Sequence, residues 1–394
     1  MAYHSRAFST SVFLMLRSRN EIFLRGHRRV ASRLFSSSTL DDDAKKRLVF
    51  LGTPEVAATT LSTIHEASLQ PESAFQVVAV VTQPAKRRKR KGKVEPSPVE
   101  RVAQDLGLAC FTPESAKDPS FLEQLETDVR PDLCITAAYG QYLPKRFLAT
   151  PSLGTVNIHP SLLPRWRGAS PVQRSLEAGD QPLGVTVLYT VSKMDAGPII
   201  AQQAEEIDEN ETATTVLPKL FAIGTQLLLD ALPDILEGRI TMETAQAQDE
   251  HQATQARMID SSEAELRVWE ESARTCHNRL RGFSMWPQAF MYFKVGDDDD
   301  KDREPIKVKI LETRVVADRI ETPTDEVRLG PTRKSGLYVV CGDGSVLELI
   351  TVQPATRKAF PARDFQNGYP GETIRWVRPP PTPTTTTVDE ENNS

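Results

Sequence analysis

The sequence predicts an α/β fold: a doubly wound sheet of parallel strands, followed by a smaller all-β barrel. Three observations predict it. In the first half, short β-branched runs alternate with helical stretches, the pattern of strands wound into one sheet by crossover helices. Past residue 238 that pattern gives way to a Gln-, Ala- and Thr-rich stretch. Beyond it, several short β-rich runs separated by turn signals replace the alternation.

Residues 47–51, R-L-V-F-L, form a buried-type strand ending in Gly52-Thr53-Pro54, with Pro54 placed as the first residue of a helix to about residue 67. Residues 75–81 are the second strand, and residues 131–137 contain a third long one. Helical stretches at 98–106, 120–127 and 144–148 separate them. Residues 155–159, T-V-N-I-H, give a further strand, stopped by Pro160 and Pro164, and Gly168 opens a helix over 169–178. A β-rich run over 184–191 leads to Met194-Asp195-Ala196-Gly197, a carboxylate followed by a turn, and another strand covers 198–207. Val216, Leu220, Ile223, Leu227 and Leu228 then recur at the spacing of a core-facing helix. This closes a first domain over residues 45–238, and residues 239–255 read as a linker.

Residues 256–376 form the second domain: a helix around 262–281, then β-rich runs at 289–295, 306–316, 336–341 and 345–352. The acidic stretch 297–302 and the polar stretch 317–333 read as solvated loops. Residues 377–394, Pro- and Thr-rich and then acidic, read as a disordered tail.

In a doubly wound sheet, ligands bind outside the carboxyl ends of the strands. Gly52, Thr82, Tyr139 and Asn157 all fall at such ends, which points to one site. The turn at Gly52 lacks G-x-G-x-x-G, and G-x-x-x-x-G-K-[ST] is absent. Despite the Rossmann-like order, neither a dinucleotide cofactor nor nucleotide-driven chemistry has support.

Residues 1–40 hold seven Arg, no Lys, many Ser and a single acid, Glu21. That is a mitochondrial presequence pattern, with Arg33-Leu34-Phe35-Ser36 suggesting cleavage near Phe35; a disordered basic arm is the alternative. The expected location is the mitochondrial matrix. Beyond residue 40 the chain carries 41 basic and 52 acidic side chains, about −11, so any nucleic-acid contact must come from a local patch. One exists between the second strand and its helix. Lys86, Arg87, Arg88, Lys89, Arg90, Lys91 and Lys93 place seven cations within eight residues. Such a cluster cannot pack into a core and attracts phosphates by counterion release; a solvated charge run is the plainer alternative. Cys110, Cys134, Cys276 and Cys341 form no C-x-x-C pair, so neither a zinc site nor a disulfide framework follows, and no metal is expected. No run of about 18 apolar residues exists, which argues against a membrane span.

Asn157 and His159 sit two apart in a strand, so both leave the sheet on one face. With the carboxylate of Asp195 they suit acyl transfer: a donor for a developing oxyanion, a proton shuttle, and a group to hold the shuttle. On residue type alone, a lone histidine after a strand is more often a satisfied structural residue.

The segment 157–173, N-I-H-P-S-L-L-P-R-W-R-G-A-S-P-V-Q, resembles the signature of the folate-dependent formyltransferases. Residues 184–197 resemble the same family's G-V-T…D-x-G segment, and Pro96-Ser97-Pro98 is similar too. Trp286-Pro287, and the stretch from Gly342-Asp343-Gly344 through Leu349 to Gln353-Pro354, resemble the C-terminal domain of the methionyl-tRNA formyltransferases, an OB-like barrel. The resemblance implies a Rossmann-like formyltransferase domain followed by a smaller OB-like β-barrel. It implies an enzyme that carries a formyl group from 10-formyltetrahydrofolate to initiator methionyl-tRNA, with Asn157, His159 and Asp195 at the catalytic positions. Ser161, Leu162, Leu163, Pro164, Arg165 and Tyr139 would shape the folate pocket. Leu162 and Leu163 could equally be core, and Arg165 and Arg167 could position donor or RNA or lie on plain surface. The basic loop would reach the RNA, although it is more basic and poorer in glycine than the family's usual form. A monomer without membrane attachment is expected. The rival readings are another formyltransferase, a formyltetrahydrofolate hydrolase, or a non-catalytic RNA-binding relative.

Overall fold

Strand β1 (Lys46–Gly52) is buried through most of its length, with Leu48 and Phe50 entering one apolar cluster and Val49 and Leu51 another. Period-two geometry sends alternate residues to opposite faces, so a continuous apolar run needs cover on both. The structure, a computed structural model, describes residues 45–87, 92–296, 303–320, 322 and 324–379. Residues 1–40, which read as a presequence, the cations Arg88, Lys89, Arg90 and Lys91, the acidic stretch 297–302 and the tail from residue 380 lie outside the described residues.

From β1 the chain enters α1 (Glu55–Ser68), with Pro54 as its cap rather than its first residue. β2 (Phe75–Val81) leads to a small antiparallel ribbon, β3 (Lys86–Arg87) and β4 (Val94–Glu95), at the root of what reads in sequence as an open basic loop. Next come α2 (Pro98–Asp105) and β5 (Ala109–Phe111), a strand too short to display an alternation. α3 (Pro119–Gln124) widens into a π-helical turn, Leu125–Val129, before β6 (Leu133–Ala137). α4 (Lys145–Leu148) precedes β7 (Thr155–His159).

β1, β2, β5, β6 and β7 pair in parallel, as expected. α5 (Pro171–Ala178) begins two residues later than the sequence suggests, and β8 (Leu183–Tyr189) and β9 (Ile199–Glu205) then add antiparallel. The sheet order is β5-β2-β1-β6-β7-β8-β9. The reversal has a local cause. The eight residues of α5 span only about 12 Å, too little to carry the chain back along the sheet. It re-enters at the carboxyl edge, where His159 lies opposite Thr186.

α6 (Ala213–Leu236) closes the first lobe by burying Val216, Leu220, Leu228, Leu232 and Ile235 in the cluster that holds Leu48 and Phe50. Each such side chain contributes roughly 1.5–3 kcal/mol. Gly224 allows the close approach, since a Cβ there would stand 2.6 Å from both Ile158 and Val185. Among the described residues, α6 is the one helix long and apolar enough to cross a membrane by length and composition; here its apolar side packs in the core.

Residues 239–255 are not a free linker. Gln246 exchanges backbone hydrogen bonds with Ile199 at 2.7 and 3.0 Å, and Gln255 bridges to Arg167. The helix expected over 262–281 is also broken. A short 3-10 turn, Ser261–Ala264, gives way to an extended stretch in which Leu266 N donates to Phe290 O at 3.0 Å. Only then does α7 (Ala273–Gly282) begin, capped by Ser272. Pairing with the barrel draws this stretch out of the helix.

The barrel comprises β10 (Phe290–Val295), β11 (Ile306–Arg319), β12 (Arg328–Leu329), β13 (Leu337–Val340), β14 (Ser345–Pro354), β15 (Phe360–Pro361), α8 (Ala362–Asn367) and β16 (Ile374–Val377). Its antiparallel order is β12-β13-β14-β11-β10-β16, and Val327 N to Ile374 O (2.8 Å) and Trp376 N to Asp325 O (2.9 Å) nearly close it. β11 runs three residues past its expected end, into the stretch read as a loop. α7 forms the seam between the lobes. Arg281 Nε donates to Glu211 O at 2.8 Å, while His277 bridges Thr313 Oγ1 (2.9 Å) and Glu209 O (3.2 Å).

Candidate active site

The carboxyl ends of β1, β2 and β6 are tied together: Thr53 Oγ1 and Gln83 Nε2 both donate to Tyr139 O, at 2.9 and 3.0 Å. Asn157 lies opposite Thr136, whose hydroxyl donates to Asn157 Oδ1 at 2.8 Å. The same hydroxyl lies 3.1 Å from Val156 O; the shorter contact engages the amide oxygen, and Nδ2 is a donor with no partner among the described residues. His159, one pleat on, is only 4% exposed. Its Nε2 stands 2.9 Å from Trp166 O; a carbonyl only accepts, so Nε2 carries a hydrogen. Its Nδ1 faces Asp195 Oδ2 at 3.7 Å, too long for a hydrogen bond. Asp195 Oδ2 also accepts from Gly168 N at 2.9 Å. A proton taken up at Nδ1 would meet a carboxylate that the backbone already holds in place.

Both groups that meet His159 come from residues in the left-handed region, Trp166 at φ 67° and Asp195 at φ 50°. Such backbone costs on the order of 1–2 kcal/mol for an L residue and persists where the surroundings over-determine it. Gly168, at φ 129°, has no such cost, and a Cβ there would stand 2.6 Å from Ala256 O.

The structure brings Asn157, His159 and Asp195 to one edge. The residues expected to shape a folate pocket have other commitments. Ser161 is buried and its hydroxyl donates to Arg165 O at 2.8 Å. Leu163 is core beside Leu188 and Ile199, whereas Leu162 is half-buried over Gly184. Pro164 O accepts from Thr254 N at 3.3 Å. Arg165 forks onto Asp180 at 2.7 and 2.9 Å and stacks on Trp166 at 4.8 Å. Arg167 is buried, not surface, with its guanidinium against Gln248 and Glu250. The side chain of Tyr139 enters the core, where burial pushes its hydroxyl pKa up to about 12. Of the cations, Lys86, Arg87 and Lys93 are exposed, with Lys86 Nζ on Gln83 Oε1 at 2.8 Å.

A cavity of about 240 Å³ lies beside Leu162, Arg165, Trp166 and Asp180 but touches none of Asn157, His159 and Asp195. Its charged side chains are already paired with each other, so side-chain geometry rather than concavity locates the chemistry. Several contributors were not read from the sequence: Thr136, the Trp166 carbonyl, the Gly168 amide, Gln248 and Thr254. Thr136 had a signal, since it shares a face with the end of its strand. The connector residues had none.

Residues 46–232 match the formyl transferase family model, and residues 258–370 match that of the formyl transferase C-terminal domain. A methionyl-tRNA formyltransferase of Listeria innocua is 37% identical over 82% of this chain and 95% of its own length. The chain belongs to the methionyl-tRNA formyltransferase family. Another member, from Methylococcus capsulatus, is 36% identical over 82% of this chain and 97% of its own. A sugar 3N-formyl transferase, crystallised in the presence of dTDP and 5-N-formyl-THF, covers 80% of this chain and 99% of its own at a TM-score of 0.53 and 15% identity, a likeness of fold. As a family member this chain is a one-carbon group transferase, and its formyl donor is 10-formyltetrahydrofolate. Among the described residues, no group of three or more His, Cys, Asp or Glu could hold a metal.

Proposed function

We propose that this enzyme formylates the amino group of methionine on the initiator tRNA, in the mitochondrial matrix and as a monomer. The carrying observation is the meeting of Asn157, His159 and Asp195 at the carboxyl edge of the sheet. Asn157 Nδ2, a donor, and His159 Nδ1, an acceptor in this tautomer, hydrogen-bond to no described residue, which fits a formyl oxygen at the amide and the attacking amine's N–H at the imidazole. Bound there, the folate supplies an activated formyl carbon. Asn157 donates from Nδ2 to an oxygen gaining negative charge. His159 takes up the amine's proton at Nδ1 and would return it to the folate nitrogen that departs as its bond to the formyl carbon breaks, and Asp195 stabilises the imidazolium in between. No covalent nucleophile is needed, because the amine attacks once it is deprotonated.

The matrix location is supported by the Arg- and Ser-rich, acid-poor first forty residues, and the RNA substrate by the seven cations over 86–93, whose root follows the carboxyl end of β2. Protein beginning near Ser36 should be given 10-formyltetrahydrofolate with methionine-charged initiator or elongator tRNA. Formyl-methionine on the initiator alone is the expected result. Donor consumed without any tRNA would instead favour a hydrolase, and RNA bound without turnover a non-catalytic protein. Import of the full chain into isolated mitochondria, with loss of the first ~40 residues, tests the location.

A further inference from the structure

The segment between the lobes reaches into the site. Gln248 Nε2 donates to Asp195 O at 2.9 Å and to Gly197 O at 2.7 Å. Its Oε1 accepts from Arg167 Nε at 3.0 Å and Nη2 at 2.8 Å. Both donors and both acceptor positions of that amide are thereby used. Arg167 Nη1 is held in turn by Glu250, at 3.0 and 3.1 Å. Farther along, Thr254 Oγ1 accepts from Trp166 N at 2.9 Å, and Thr254 O from Arg167 N at 2.9 Å. The connector therefore anchors both left-handed residues that present groups to His159: Asp195 through Gln248, and Trp166 through Thr254.

We infer that Gln248 is a positioning residue for formyl transfer, and that the connector over 246–256 is a working part of the active site rather than a tether. This rests on the roles proposed above for His159 and Asp195. Gln248 pins the main chain on the carbonyl side of Asp195, where a left-handed backbone aims the carboxylate at His159. If that backbone relaxed, the carboxylate would swing, and a displacement near 1 Å at a reacting centre costs about 10²-fold in rate. The amide cannot be replaced by its acid. A carboxylate at 248 keeps the guanidinium of Arg167 but sets an oxygen against two carbonyl oxygens.

The test is steady-state kinetics over a range of pH for Gln248→Glu and Thr254→Val, with thermal melts, beside His159→Asn and the double variant Gln248→Glu/His159→Asn. The expected result for Gln248→Glu is a loss of about 10–100-fold in kcat with an altered pH profile, unchanged KM for both substrates and a melt that stays cooperative but moves down by a few degrees. In the His159→Asn background, Gln248→Glu should lower kcat no further, because both act through one group. If Gln248→Glu fails to fold, Thr254→Val, which removes only the bond to Trp166 N, carries the same expectation at several-fold. Wild-type kcat and pH profile in these variants, or losses that multiply in the double variant, overturn the inference alone. Wild-type turnover in His159→Asn overturns the assignment of the site and this inference with it.

Discussion

His159 has two ring nitrogens with different surroundings, and the difference carries the residue-level predictions. Nε2 is spent on Trp166 O at 2.9 Å, so only Nδ1, across a 3.7 Å gap from Asp195, can exchange a proton with a substrate. We predict that His159→Ala lowers turnover by about 10²–10⁴, the range of general acid–base catalysis, while tRNA binding stays nearly intact. Single-turnover formylation and a filter-binding titration separate the two, and near-normal turnover would remove His159 from the mechanism. Thr136 acts one step back. Its hydroxyl has one hydrogen for two acceptors, Asn157 Oδ1 at 2.8 Å and Val156 O at 3.1 Å, and the nearer contact favours the amide orientation that turns Nδ2 to the site. A bond of this kind contributes roughly 0.5–1.5 kcal/mol, so Thr136→Val should cost about 2–10-fold in kcat with KM little changed. A larger effect on KM than on kcat would mean that Asn157 serves ground-state binding. The shared face of Asn157 and His159 was legible in the sequence because strand alternation is a two-residue rule. The placing of Asp195 with them rested on residue type and on the family resemblance, because the turn that delivers it depends on a backbone angle no local pattern requires. Arg167 was read as possible surface for a related reason. Its partners Gln248 and Glu250 lie in a polar stretch with no apolar periodicity, and burial of a charge depends on partners distant in sequence.

At the level of elements, α7 couples the lobes through buried polar groups, and His277 is the titratable one among them. Burial lowers its pKa below the ordinary value near 6.5; the bond to Glu209 O opposes this, and Arg281 and Arg274 add to it. A histidine kept neutral in the folded state binds fewer protons than the unfolded chain once the pH drops below 6.5. The sign is therefore fixed: stability is full above that pH and falls progressively below it, toward the lowered folded-state pKa. Melting temperature should fall between about pH 7 and 5, and His277→Gln should flatten that part of the curve. An equally steep curve in the variant would place the titrating group elsewhere. The same elements show how far pattern reading goes. β1, β2 and β7 were found because apolar, β-branched runs bounded by Gly and Pro are local signals. β5, β12 and β15 are two or three residues long and exist only because a neighbouring strand pairs with them. The helix expected over 262–281 forms only from Ala273 on, and its first half failed for the opposite reason. Residues of fair helix propensity were drawn out by Phe290, which no local propensity anticipates.

For the whole molecule, charge and position pull against each other. Beyond residue 40 the chain carries about −11, so its general field repels a polyanion, yet the basic ribbon follows directly on the carboxyl end of β2. The ribbon is anchored rather than adrift at its base: Thr82 Oγ1 and Ser97 Oγ meet at 2.7 Å, and Lys86 is held by Gln83, which also ties to Tyr139 O. Lys86 and Arg87, set in that ribbon, can deliver a phosphate backbone to the reacting centre as well as attract it. Their contribution should appear in the salt dependence of binding, since each phosphate contact releases counterions and adds about 0.7–0.9 to the slope of log Kobs against log salt. We predict that replacing Lys86, Arg87, Arg88, Lys89, Arg90, Lys91 and Lys93 by Gln weakens tRNA binding and makes that slope shallower, with kcat at saturating tRNA changed less than KM. Titrations at several salt concentrations measure the slope, and the same variant assayed at saturation measures kcat. A slope identical to wild type would reduce the ribbon to a solvated charge run. A shallower slope joined to a collapsed kcat would show that the loop also orients the acceptor end, beyond what attraction alone supplies.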